Sequence, residues 1–256
     1  RAEGAEPGQM PSPWLRACQE KKAEWDAFKR ARYGAPVLHD EVWGREVLTQ
    51  PAAIHIASRW ARQVGAVAFF DAGDVQANGF QVVEDERLGQ TFTETGASYM
   101  GFAASALLAT ALADAPFYGL AFSGDGSFTM NPQILIDGVE HGARGCILLL
   151  DNRRMGAISA LQTAQYGADF ATRDGVSIDY VGWAHSIDGV QGLSGGYAPE
   201  DLLSALAKAH AHDGLSLIHV PVYYGDNALG GLGAFGRWNV GNWVASTQAL
   251  RHEIGL

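Results

Sequence analysis

Phe117-Tyr118-Gly119-Leu120-Ala121-Phe122-Ser123 runs directly into Gly124-Asp125-Gly126-Ser127-Phe128, and Cys146-Ile147-Leu148-Leu149-Leu150 runs into Asp151-Asn152. Each short apolar run, bounded by turn residues, reads as a buried strand. Between them, Met130 to His141 places Ile134, Leu135 and Val139 at helical spacing. Strand, turn, helix and strand make a βαβ unit, so both polar turns fall at the carboxyl ends of parallel strands. A carboxylate (Asp125) and a carboxamide (Asn152) therefore converge at one sheet edge, beside a helix start that favours anions. Hard oxygen donors next to a phosphate cradle suit Mg²⁺ bridging a diphosphate.

The rest of the chain extends this pattern. Gln50 to Val64 reads as a helix and Ala66 to Phe70 as a strand ending at Asp71-Ala72-Gly73-Asp74. Thr95 to Leu112 reads as a small-residue helix, Ile178 to His185 as a helix and Ser186 to Val190 as a strand. Pro199 to His212 reads as a helix and Leu215 to Val222 as a final strand. Repeated βα units predict an α/β fold: a doubly wound, mainly parallel sheet with helices on both faces and its site at the strands' carboxyl ends. Three segments follow: an N-terminal linker and helical arm (1–47), the α/β domain (48–225) and a Gly/Trp-rich tail (226–256), a candidate lid or interface arm. In the arm, residues 1–13 read as a linker, and Trp14 to Tyr33 as a charged helix with Leu15, Cys18, Trp25 and Phe28 on one face.

Bulk properties narrow the function. A formal charge of −10 over 256 residues argues against a nucleic-acid partner. No apolar run is long enough to span a bilayer and no charged-then-apolar leader opens the chain, so a cytoplasmic protein is expected. Two cysteines are too few for a disulfide framework, and the eight histidines show no metal-ligand spacing.

The glycine-flanked Asp125 with Asn152 resembles the thiamine diphosphate (ThDP) signature. Met100-Gly101-Phe102, Gly124 to Phe128, Met130 and Gly156 resemble the C-terminal, diphosphate-binding domain of acetolactate synthase-like enzymes, over about Leu48 to Val222. The resemblance implies ThDP and Mg²⁺ as cofactors. Asp125 and Asn152 would bind the metal through side-chain oxygens and Arg154 through its backbone carbonyl. Gly124, Gly126 and Ser127 would hold the diphosphate, with Gly73 and Gln76 cupping its far side. Ser98, with Met100 behind it, would meet the aminopyrimidine through a backbone carbonyl. Met155, Gly156 and Ala157 would follow the metal turn along the cofactor. Met130 would be the apolar wedge that bends ThDP, bringing its 4′-imino nitrogen to the thiazolium C2 proton.

The sequence also departs from that family. Asp74 and Val75 stand where acetolactate synthases carry Gln and His, and a carboxylate beside phosphate repels, so Asp74 is not expected to be a ligand. Leu161 replaces the substrate-selecting Trp, which implies a wider, more apolar acceptor pocket than a branched-chain acetolactate synthase has. Arg237, Trp238 and Asn239 of the tail are equally readable as an acceptor-carboxylate clamp or as packing. The family also needs a glutamate from a pyrimidine-binding domain, expected from a partner subunit in a heterotetramer or from sequence beyond these residues. The resulting expectation is the diphosphate- and Mg²⁺-binding subunit of an acyloin-forming carboligase. The alternatives are a 2-oxoacid decarboxylase subunit, a cyclic diketone hydrolase and a non-catalytic ThDP-binding subunit.

Overall fold

The computed structural model describes residues 12–225. The expected linker at 1–11 and the tail from 226, with Arg237, Trp238 and Asn239, lie outside the described residues. Internal contacts divide the chain into two compact units, Arg1–Ala35 and Pro36–Leu256. The first contains α1 (Pro13–Gly34), started by Ser12, whose hydroxyl accepts the Leu15 N–H at 3.2 Å.

The second unit opens on an antiparallel hairpin, β1 (Val37–Asp40) and β2 (Arg45–Leu48). These residues fall in the expected arm (1–47) but belong to the unit that starts at Pro36, ahead of the α/β boundary expected at 48. The strands are too short to show alternation, and a side chain closes the hairpin: Asp40 Oδ1 accepts the N–H groups of Val42 (2.8 Å) and Trp43 (3.1 Å). α2 (Gln50–Val64) follows, with Thr49 accepting from Ala52 N–H at its start and Gly65 left-handed at its end. Then come β3 (Val67–Phe70), α3 (Asp74–Val82), β4 (Thr91–Thr93), α4 (Phe102–Ala106), α5 (Ala109–Leu112), β5 (Gly119–Gly124), α6 (Asp125–Phe128) and α7 (Ile134–Glu140). The unit ends with β6 (Gly145–Asp151), α8 (Gly156–Tyr166), α9 (Tyr180–His185), β7 (Val190–Ser194), α10 (Pro199–Ala211) and β8 (Leu215–Pro221).

Six strands form one parallel sheet in the order β4-β3-β5-β6-β8-β7. Its central strands are buried along nearly their whole length, as continuous apolar runs require. On one face Phe70 and Phe122 stack at 4.3 Å beneath α3, where a Cβ on Gly79 would fall 2.6 Å from the Phe70 ring. On the other, Phe69, Ala121, Ile147 and Leu217 pack with α4, α7 and α9. The chain leaves β3 toward β4 and leaves β5 toward β6. The switch point therefore lies between the carboxyl ends of β3 and β5, where α/β sheets open a crevice.

Three local expectations change. The helix expected from Met130 begins only at Ile134, because Pro132 disfavours helix at Asn131 and leaves α6 as a single turn. The helix expected from Thr95 shortens to α4 and α5, because the Glu94 carboxylate holds the N–H groups of Gly96, Ala97 and Tyr99 in a loop. The strand expected at Ser186 to Val190 is β7, starting at Val190. Ser186 and Ile187 still bond back to α9, and pairing of Val190 with Leu215 sets the register. The sequence reading also assigned no element to α3 or β4.

Candidate cofactor site

Three turns meet at the switch point around a cavity of ≈ 300 Å³. The first follows β5. Asp125 opens α6 and is only 4% exposed. Burial pushes its carboxyl up to about 9, and the neighbouring carboxylates of Asp151, Asp174 and Asp74 push the same way; the Gly126 N–H acts in opposition. The Ser127 hydroxyl points at the Ala72 carbonyl, 3.5 Å away.

The second turn follows β6. Asp151 Oδ1 accepts the Arg153 N–H at 2.9 Å, and Oδ2 lies 2.8 Å from His219 Nε2 on β8. This bracing accompanies a left-handed Arg153 (φ 54°), uncommon for a residue with a side chain. Asn152 Oδ1 accepts the Arg154 N–H at 3.2 Å, and its Nδ2 donates to Asp74 Oδ2 at 2.9 Å. The Arg154 guanidinium donates to the Tyr224 carbonyl at 3.0 Å.

The third turn follows β3. Asp71 is fully buried, its Oδ1 accepting from Gly101 N–H (2.8 Å) and Ala72 N–H (3.1 Å) and its Oδ2 from the Ser123 hydroxyl (2.7 Å). It ties β3 to β5 and to the loop carrying Ser98 and Met100. Ser98 takes a left-handed φ of 55° there. Asp74 starts α3; burial raises its carboxyl, opposed by Gln50, the Val75 N–H, Arg154 and Asn152.

Of the expected site residues, Gly73, Gln76, Ser98, Met100, Gly124, Asp125, Gly126, Ser127, Arg154, Met155, Gly156 and Ala157 all line the cavity, and so does Leu161. Asn152 sits behind them, buried. One expectation needs correction. Met130 is 61% exposed and does not line the cavity, because the turn before Pro132 carries it to the surface. Met100 does line it, its Cε 3.7 Å from where a Cβ on Gly126 would lie. Gln76 reaches the cavity, but its amide N–H₂ is spent on Thr93 Oγ1 (2.6 Å) and the Glu94 carbonyl (2.8 Å). Of its side chain only the oxygen remains, an acceptor ill-suited to phosphate. The sequence reading missed Asp71 and His219. Asp71 was legible as a second acid ending a strand, whereas nothing local marks His219 inside β8.

Among the described residues no three or more His, Cys, Asp and Glu side chains gather as a metal site. The donors available are mixed: one buried carboxylate, one carboxamide and backbone. No helix of the described residues is long and apolar enough to cross a membrane.

A parallel α/β sheet with glycine-rich and acidic turns converging at its switch point defines a cofactor-binding domain of the phosphate-cradling class. The family described as thiamine pyrophosphate enzyme, C-terminal TPP binding domain, matches residues 71–220, and the chain belongs to that family of ThDP-dependent enzymes. The fold superposes on benzoylformate decarboxylase from Polynucleobacter necessarius with a TM-score of 0.62 at 18% identity, covering 70% of this chain and 34% of that one. It superposes on the thiamine diphosphate-dependent 4-hydroxybenzoylformate decarboxylase of Rhodococcus jostii RHA1 with a TM-score of 0.63 at 20% identity, covering 71% and 34%. The chain thus spans about a third of the length of these structures. No curated protein matches it.

Proposed function

We propose that this domain holds the Mg²⁺–diphosphate end of ThDP in an enzyme that makes or breaks a C–C bond next to a carbonyl. The observation that carries this reading is that Asp125, buried at the start of α6, meets Gly126, Ser127 and Arg154 around one cavity at the switch point; burial and then neighbouring carboxylates raise its carboxyl, which a divalent cation would relieve. Asp125 and Asn152 would offer side-chain oxygens and Arg154 its carbonyl. Gly126 and Ser127 would offer donors to the diphosphate, and the Ser98 carbonyl would accept from the aminopyrimidine. The wedge role passes from Met130 to Met100, whose side chain borders the cavity above Gly126. When bound, ThDP supplies an electron sink for bond changes beside a carbonyl.

Acyloin-forming carboligation is the preferred chemistry, resting on the sequence resemblance. Ile158, Leu161 and Phe80 add an apolar wall consistent with an apolar acceptor. A 2-oxoacid decarboxylase is the second reading, favoured by the activity of the two superposed enzymes. In either case a pyrimidine-binding domain would supply the activating glutamate. We place it on a partner polypeptide in a two-fold α₂β₂ assembly.

Calorimetric titration with ThDP, with and without Mg²⁺, tests the reading. Mg²⁺-dependent binding is expected, strengthened by a pyrimidine-domain partner. That mixture should release CO₂ from 2-oxoacids or form acyloins, and the product separates the two chemistries. No ThDP binding under any of these conditions would sink the proposal, and full turnover by the purified chain alone would sink the partner.

A further inference from the structure

Asp74 stands where a carboxylate is least expected, in the wall of a cavity suited to phosphate. Its Oδ2 takes two amide donors, Asn152 Nδ2 at 2.9 Å and Gln50 Nε2 at 3.3 Å. The Gln50 oxygen in turn accepts from Asn78 Nδ2, at 2.5 Å, so a buried chain of amides runs from α3 through the start of α2 to this carboxylate. Gly156 leaves the room. A Cβ there would lie 2.5 Å from Asp74 Oδ2 and 2.9 Å from Asn152 Nδ2.

An asparagine amide presents nitrogen or oxygen with almost equal shape, and its terminal torsion is loosely held. A cation needs the oxygen. A carboxylate accepts and cannot donate, so it pairs only with the amide's N–H₂ end. Resting on the functional reading above, we infer that Asp74 is a positioning residue. Its carboxylate captures Nδ2 of Asn152 and, with the Arg154 N–H on Oδ1 at 3.2 Å, fixes Oδ1 as the end of the amide left to meet a cation. This also accounts for an acid beside phosphate: the oxygen that takes the two amides is neutralised by donors rather than aimed at the ligand.

The test is Mn²⁺ titration of the full chain in the presence of ThDP, with free Mn²⁺ read by electron paramagnetic resonance. Outer partners of metal ligands typically contribute 10- to 100-fold to affinity. Asp74→Ala should weaken Mn²⁺ binding by about that factor. Asp74→Asn should recover most of the loss, because one amide oxygen can take both donors. In an Asn152→Ala background, Asp74→Ala should add nothing. An equal cost in both backgrounds, or an Asp74→Asn as weak as Asp74→Ala, would overturn the inference. If Asp74→Ala does not fold, Gly156→Ala replaces it: its methyl displaces the pair and should weaken binding, and unchanged binding counts against the inference. Wild-type protein that binds Mn²⁺–ThDP, with Asp74→Ala indistinguishable from it, removes this inference alone. Wild-type protein that binds neither, with or without the pyrimidine-domain partner, removes the functional reading and this inference with it.

Discussion

Asp71 and Asp125 end neighbouring parallel strands and are both buried, yet the two strand ends are built in opposite ways. Asp71 is enclosed by donors from three segments, Ser123, Gly101 and Ala72, which oppose the burial that raises its carboxyl. Burial first, and then the neighbouring carboxylates of Asp151, Asp174 and Asp74, push the Asp125 carboxyl up to about 9. A buried carboxylate with its donors in place is architecture. One left among other acids stays protonated or takes a counter-charge from outside, which on our proposal is the cation.

The contrast can be broken experimentally, most sharply at Asp125. Asp125→Ala should cut Mg²⁺-dependent ThDP affinity by at least about 100-fold, more than loss of an outer partner, while far-ultraviolet circular dichroism stays unchanged. Asp71→Asn should do the reverse. It keeps one acceptor but turns an N–H₂ toward a donor, which should cost about 2–3 kcal/mol in denaturant melts. Fold loss at Asp125 with binding loss at Asp71 would invert the comparison.

The pH dependence of stability sharpens it further. Asp125 has a folded-state value of about 9 against an ordinary 3.8. The stability it contributes is therefore full below 3.8 and is lost as pH rises through about 9. Melting temperature of the cofactor-free chain should fall across that range, and Asp125→Asn should flatten the fall. An identical slope in the variant would mean that Asp125 carries no such burden.

The smallest effects separate the two methionines. Met100→Ala should leave ThDP binding nearly intact and lower turnover with the partner by about 10-fold, as misplaced reacting groups do. Met130→Ala, a surface change, should alter stability by less than about 0.5 kcal/mol and leave turnover alone. Stability comes from thermal melts and turnover from single-turnover kinetics. The opposite ranking would restore the wedge to Met130.

These residues also mark how far the sequence could be read. The strands ending at Gly124 and Asp151, the acidic and carboxamide turns, and the parallel α/β class were legible because apolar runs and turn residues act locally. The hairpin from Val37 to Leu48 was not, since its four-residue strands show no period and Asp40 closes it by a side-chain bond. Likewise, spacing from Asp125 drew Met130 into the site, and only the break at Pro132 removed it.

Sequence alone determined the βαβ order and the chemistry at each strand end, because both are written in consecutive residues. Tertiary structure alone decided which methionine borders the cavity, that Gln76 spends its side-chain donors on Thr93 and Glu94, and that Asp74 accepts from Asn152 and Gln50. Each of those outcomes depends on a partner far away in sequence. A side chain's direction follows from the packing of whole elements, which no local pattern encodes.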